Sequence, residues 1–285
     1  MLFRSFLNGL TTLDADTAKA LAEFKGISLS LNGLTTLDAD TAKALAGSKA
    51  WNGQLPKLTT LDADTAKELA EFKGYLVLNG LTTLDADTAK ALAGFKGSLA
   101  LNGLTTLDAD TAKALAEFKG ERLWLNGLPT LDADTAKALA GFKVEELSLY
   151  GLTMLDADTV TALADFKGFV VQLNDNTAKH FFAKNPLTPE TALAWAALVK
   201  GDLFYVTALD SSDAVAIAQA LATRKGPLKL PNLKKISPKT LTALIQKEDV
   251  EIPLVETLEL IPEPDGSVTD DFVIPESLEK RQQSR

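Results

Sequence analysis

Pairs of aspartates recur through the first 168 residues, and their side chains have the clearest capacity for chemistry. Each pair has the pattern Asp-x-Asp, as in Asp14 and Asp16. Stacked in columns, such carboxylates could supply the several oxygen ligands that Ca²⁺ prefers, but the spacing of an EF-hand loop is absent. An aspartate just before a helix also caps its first amides. We therefore predict helix N-caps, without a metal, at Asp14, Asp38, Asp62, Asp85, Asp108, Asp132 and Asp156.

Other residues offer little for catalysis. His180 is the single histidine and the chain contains no cysteine, which excludes a thiol nucleophile and a Cys metal site. A glycine-rich phosphate loop and a recognisable Ser-His-Asp arrangement are also missing from the sequence. We predict a protein that is not an enzyme and carries no cofactor, with His180 as an ordinary helical residue.

Side chains on the predicted strands are better candidates for function. Alternate residues of a strand face opposite ways, so the residue between two strand leucines should face outward, as at Ser30, Val77, Ala100, Trp124, Ser148 and Gln172. Glu146 lies beside this column. Trp, Tyr and Arg dominate the binding energy of protein interfaces, and we predict a partner-binding site at Trp124, Arg122, Tyr150, Tyr75 and Gln172. A lone aromatic residue on a strand surface is the simpler alternative.

A repeated unit must position these residues. A leucine recurs at Leu10, Leu34, Leu58, Leu81, Leu104, Leu128 and Leu152, in steps of 23 or 24 residues. A fixed period of this length predicts a solenoid, in which each coil buries its apolar face against its neighbours.

One coil can be read in order along the chain. Residues 27–31 alternate apolar and polar side chains, which predicts a short strand ended by the turn dipeptide Asn32-Gly33. Residues 38–46 are good helix formers with one narrow apolar face. We predict that each helix ends at Phe-Lys-Gly, with the glycine as a left-handed C-cap.

The coils diverge after residue 168 and one earlier coil is irregular. In the third coil, residues 51–56 replace the usual strand. Later strands are predicted at 170–173, 203–206, 228–230 and 255–260, and helices at 188–200, 213–224 and 238–246. We predict one domain of about ten coils over 1–261, comprising near-identical repeats over 1–168 and divergent repeats with a cap over 169–261. A polar, flexible tail over 262–285 completes the chain.

The pattern L-x-L, then L-x-x-L, then a capped helix ending A-L-A resembles the leucine-rich repeat family. The cysteine-containing subtype is the most similar, with Leu34 at its Cys position, Asp38 at its Thr cap and Leu45-Ala46 at its Leu-Ala. The resemblance implies an α/β leucine-rich repeat solenoid with parallel strands on the concave face and helices on the convex face. It also implies a non-enzymatic scaffold that binds a protein or peptide on the concave sheet.

Charge and repeat identity bear on the choice of partner. The net charge of −9 disfavours nucleic acid and anionic membranes as partners, and no apolar run is long enough to span a bilayer. The near-identity of the early coils favours an alternative, a structural or self-assembling protein. The N-terminal edge carries Leu2, Phe3, Phe6, Leu7 and Leu10 without a preceding polar coil, so we expect it to continue upstream or to pack against another chain.

Overall fold

The fold is α/β, with short parallel strands alternating with short helices along the chain. It was obtained as a computed structural model that describes residues 4–168, 170–199 and 201–267. Leu2, Phe3 and most of the predicted tail lie outside these residues. Contacts divide the chain into two compact units, Met1–Thr177 and Ala178–Arg285.

The first unit repeats a strand and a helix with nearly constant spacing. Its strands are β1 (Arg4–Phe6), β2 (Ser28–Ser30), β3 (Tyr75–Val77), β4 (Ser98–Ala100), β5 (Arg122–Trp124), β6 (Glu146–Ser148) and β7 (Val170–Gln172). Its helices are α1 (Ala15–Ala22), α2 (Ala39–Ala46), α3 (Ala63–Leu69), α4 (Ala86–Leu92), α5 (Ala109–Leu115), α6 (Ala133–Ala140) and α7 (Ala157–Ala164). All strand pairs are parallel: β1 pairs with β2, and β3 to β7 pair in sequence order. This order is compatible with a repeat solenoid.

The third coil has no regular strand, as the sequence predicted, and it lies between the two sheets of the first unit. In place of a strand it makes two isolated bridges, Leu29 to Trp51 and Gln54 to Val77. Ser48 stands where the next coil has Phe72, and the Trp51 ring packs 4.8 Å from the Phe72 ring, centroid to centroid. The Trp51 indole therefore contacts the phenylalanine ring of the next coil directly.

The predicted aspartate caps are confirmed. In each of the seven first-unit helices, the aspartate side chain accepts a hydrogen bond from the threonine amide three residues on. These bonds hold the pKa of Asp14, Asp38 and Asp108 below the usual 3.8. A carboxylate so used satisfies an amide that the helix itself leaves unpaired.

The predicted helix end at Phe-Lys-Gly is wrong. Helix α4 ends at Leu92, and the amide of Phe95 closes the last turn on the Leu92 carbonyl at 3.0 Å while its ring turns into the core. Gly97 has no positive φ and is not a left-handed cap. A Cβ at Gly97 would lie 2.0 Å from the carbonyl oxygen of Gly74 in the preceding coil. The glycine is required by close stacking between coils, which sequence periodicity does not report.

The Asn-Gly dipeptide forms the predicted turn, but it also joins the coils. The Asn79 side-chain oxygen accepts the amide of Asn102 at 3.0 Å, and the Asn102 oxygen accepts the amide of Asn126 at 3.0 Å. A Cβ at Gly103 would lie 2.0 Å from the Asn79 carbonyl oxygen. The dipeptides Asn79-Gly80, Asn102-Gly103 and Asn126-Gly127 thus combine a hydrogen bond to the next coil with a close backbone approach to the previous one.

The second unit has shorter strands and longer connections. Helix α8 (Asp175–Lys184) spans the boundary, and α9 (Pro189–Leu198), α10 (Ala214–Ala222) and α11 (Pro238–Ile245) follow. The strands are β8 (Ala208–Leu209), β9 (Leu228–Lys229), β10 (Lys235–Ile236), β11 (Val250–Glu251) and β12 (Glu259–Leu260), in the parallel orders β8-β10-β12 and β9-β11. Thr188 and Ser237 cap α9 and α11, each ahead of a proline in the first turn.

Two strand predictions in this unit are corrected. The chain turns at residues 204–205 instead of continuing a strand over 203–206, because Leu203 and Val206 are the buried pair and their spacing is that of a turn. At 255–260 a single 3-10 turn, Val255–Thr257, precedes β12. Within the predicted tail, Glu263 is buried and accepts the Ser237 hydroxyl at 2.8 Å and the Lys239 amide at 2.8 Å.

The capping role of the aspartates predicts the effect of a matched pair of substitutions. Asp85 accepts the Thr88 amide at 2.7 Å, whereas Asp87 is exposed in the first turn. We expect Asp85→Ala to lower the free energy of unfolding by about 1 kcal/mol and Asp87→Ala by about half of that or less. Denaturant titrations would measure both. Equal losses, or a melting temperature that Ca²⁺ raises by several degrees over a chelator, would contradict the capping account.

Candidate functional site

The candidate site lies on the strand face opposite the leucine core of the first unit. Leu76 of β3, Leu123 of β5 and Leu147 of β6 are fully buried. Their strand neighbours therefore project from the other face. The larger of these are Tyr75 on β3, Arg122 and Trp124 on β5, and Glu146 on β6. We call these four residues the aromatic patch.

The two rings of the aromatic patch meet across a strand that carries small residues. Tyr75 and Trp124 lie with ring centroids 5.2 Å apart at 71°, an edge-to-face arrangement. Between them runs β4, where Ala100 pairs in register with both Val77 and Trp124. Because the Ala100 side chain is small, the Tyr75 and Trp124 rings can reach each other across β4. Burial against this neighbourhood raises the pKa of the Tyr75 hydroxyl.

The Glu146 carboxylate contacts both the Trp124 indole and the Arg122 guanidinium. Its Oε1 accepts the Trp124 Nε1–H at 3.1 Å, and its Oε2 lies 3.9 Å from Arg122 Nε. The Glu146 side chain is 22% exposed and that of Arg122 is 50% exposed. The carboxylate is therefore shared between two neighbours while the arginine keeps contact with solvent.

The structure brings some of the predicted site residues together and leaves others apart. Tyr75, Arg122 and Trp124 belong to the aromatic patch, directly or through Glu146. Tyr150 is 60% exposed and Gln172 is also exposed, yet among the described residues neither has a ring contact or side-chain hydrogen bond with Trp124. Glu146 was seen in the sequence as a neighbour of the site but not as a member of it.

The predicted outward column needs a correction. Ser30, Val77, Ala100 and Ser148 are each less than 10% exposed. The hydroxyls of Ser30 and Ser148 donate to the side-chain oxygens of Asn8 and Asn126, both at 2.7 Å. Small residues on a closely spaced parallel sheet are covered by larger neighbours and by the asparagine turns, so strand alternation alone overestimates their exposure.

Sequence reasoning also missed a cavity beside the irregular coil. It has a volume of about 590 Å³ and its lining includes Ser48, Lys49, Trp51, Glu71 and Phe72. The signal was present in the replacement of the repeat's phenylalanine by Ser48, which removes a large side chain at the corner of the coil.

The first unit's strand face carries groups that can form non-covalent contacts. The aromatic patch offers ring surfaces, a shared carboxylate and a partly exposed guanidinium. His180 is exposed on α8. Within the described ranges, no three His, Asp or Glu side chains are grouped to hold a metal ion, and none of the helices there has the length and hydropathy of a bilayer span. Comparison of the chain with protein-family models and with curated proteins finds no match.

Proposed function

We propose that this chain is a solenoid of the leucine-rich repeat kind that serves as a non-enzymatic scaffold and binds a protein or peptide on its strand face. The observation that carries the proposal is the aromatic patch, where Tyr75 and Trp124 form a fixed pair of partly exposed rings. The solenoid part of the proposal is supported by the parallel strands β3 to β7, which pair in sequence order, and by the helices α1 to α7, each of which contacts the next.

The physical properties of the aromatic patch suit it to binding. Aromatic rings supply a large contact area and lose little conformational entropy when they are ordered, which is why they anchor interfaces. The rings of Tyr75 and Trp124 are already held by each other and by Glu146. A partner would therefore not need to order them on binding, and more of the contact energy would appear as affinity.

The scaffold proposal predicts that substitutions on the strand face weaken peptide binding, whereas substitutions on the helices do not. Peptides selected from a displayed library against the wild-type protein should bind a Tyr75→Ser, Trp124→Ser double variant at least about tenfold more weakly, the scale of one good anchor. A Lys113→Ser, Lys137→Ser variant, changed at exposed positions on α5 and α6, is the matched control. Circular dichroism and the unfolding midpoint would check that both variants fold. Unchanged affinity in the strand-face variant, or an equal loss in the helix-face variant, would remove the strand face as the binding surface.

Self-assembly is a second candidate function, favoured by apolar exposure in the first two coils. Phe6 on β1 is 67% exposed and Ile27, just before β2, is 51% exposed. Strand β1 pairs with β2 on one side, and no other described strand pairs with it. An apolar surface beside an unpaired strand edge is a common site of association between chains.

Association through this edge predicts a concentration-dependent mass. Light scattering over a concentration series should show the wild-type protein growing beyond a monomer and a Phe6→Ser, Ile27→Ser variant remaining monomeric. Met154→Ser, which changes a residue of similar exposure in the seventh coil, is the control and should behave as wild type. A wild-type protein that stays monomeric at every concentration would rule out this second function.

A further inference from the structure

Glu146 is the carboxylate of the aromatic patch, and it contacts both the indole of Trp124 and the guanidinium of Arg122. We infer that Glu146 is a positioning residue that fixes Trp124, neutralises Arg122, and so makes the patch select an uncharged apolar or aromatic side chain of a peptide over an acidic one. The inference rests on the proposed function for the identity of the partner, but its geometric part concerns the free protein.

Glu146 restrains the orientation of the Trp124 indole. A surface tryptophan on a strand can rotate about two side-chain bonds, and the Tyr75 contact alone restrains one edge of the ring. The 3.1 Å bond from Trp124 Nε1 to Glu146 Oε1 restrains the other edge. Hydrogen bonds to a charged acceptor are stronger than those between neutral groups, so the carboxylate suits the task better than an amide.

Glu146 also sets the net charge of the aromatic patch. Arg122 is the cation of the patch, and by itself it would attract a partner carboxylate. Glu146 Oε2 lies 3.9 Å from Arg122 Nε, and β5 and β6 pair these two residues directly in register. The other side chains projecting from the neighbouring strands β3 and β4 are uncharged, namely Tyr75, Val77, Ser98 and Ala100. The patch is therefore close to neutral while presenting two ring surfaces.

The fixed rings and the neutral charge of the patch together favour one class of ligand. A neutral patch with fixed rings gains most from the burial of apolar surface and from ring-to-ring contact. An acidic side chain placed there would meet Glu146 as a like charge, and like charges across an interface disfavour the wrong partner. Glu146 thus acts on specificity without itself forming the apolar contact.

Fluorescence quenching tests the geometric part without any partner. Trp51 and Trp195 are buried, so quenchers in solution should report mainly on the half-buried Trp124. At constant ionic strength, Glu146→Ala should raise quenching by both acrylamide and iodide because the indole is released. Glu146→Gln keeps a weaker oxygen acceptor, so acrylamide quenching should rise less than in Glu146→Ala. Iodide quenching in Glu146→Gln should rise about twofold, as expected for removal of one nearby surface charge.

Three controls accompany this measurement. Arg122→Gln should lower iodide quenching, Asp134→Asn on α6 should leave it unchanged, and Trp124→Phe should abolish the quenchable signal. If Glu146→Ala leaves acrylamide quenching at the wild-type value, Glu146 does not hold the indole. If Glu146→Gln leaves iodide quenching unchanged, Glu146 does not set the charge of the patch.

A matched pair of small probes tests the ligand class. With the indole N–H resonance of Trp124 followed by NMR, wild-type protein should bind neutral phenylacetamide more tightly than phenylacetate. In Glu146→Gln the preference should shift toward phenylacetate by about threefold or more, the scale of one surface charge pair. No response to either probe, or an unchanged preference, would overturn the ligand class. If quenching and probes behave as expected while the library peptides bind elsewhere, the patch is correctly described and the proposed function is wrong.

Discussion

Backbone contact between successive coils is the constraint on which the rest of the first unit depends. At two positions of the repeat, glycines lie so close to a carbonyl oxygen of the previous coil that a methyl group would overlap it, as at Gly97 and Gly103, and three coils carry such a glycine at both positions. An asparagine oxygen then accepts an amide of the next coil, as between Asn102 and Asn126. The helices fit this spacing because each places an alanine as well as a leucine inward, and Ala89 and Ala112 are completely buried.

The same constraint explains where the surface is free to vary. The core leucines, the glycines and the asparagine turns are set by contacts between coils, whereas the outward strand positions have only to fit beside one another. Bulky side chains therefore occur outward where a neighbouring strand is small, as Trp124 and Tyr75 do on either side of Ala100. Tyr150 stands where most coils of the first unit have the asparagine of Asn-Gly. In the next coil, the side-chain Nδ2–H of Asn174 donates to the backbone carbonyl of Leu152 at 2.8 Å. Local departures from the repeat thus produce distinct surface chemistry.

Much of the fold could be predicted from the sequence, because strand alternation and helix caps are local properties. The aspartate caps and the break at Trp51 are examples. The helix ends could not be predicted. Phe95 lies beyond the helix because its ring packs in the core, and a glycine is needed at position 97 because of its contact with Gly74, 23 residues earlier in the chain. Among the site residues, alternation placed Trp124 and Arg122 on the correct face. It could not show that Tyr75 reaches Trp124 across β4 or that Glu146 joins Trp124 to Arg122, because both depend on side-chain reach between coils.

A comparison of two glycines in one coil tests the stacking constraint most directly. A methyl group at Gly97 would meet the Gly74 carbonyl oxygen at 2.0 Å, whereas at Gly94 the nearest atom, the Ala91 oxygen, is 3.5 Å away. The account predicts that Gly97→Ala lowers the free energy of unfolding by at least about 2 kcal/mol, through displacement of packed backbone. Gly94→Ala should change it by less than about 1 kcal/mol, with a gain expected from the stiffer unfolded chain. Similar denaturant midpoints for the two variants would contradict the claim that contact between coils governs the fold.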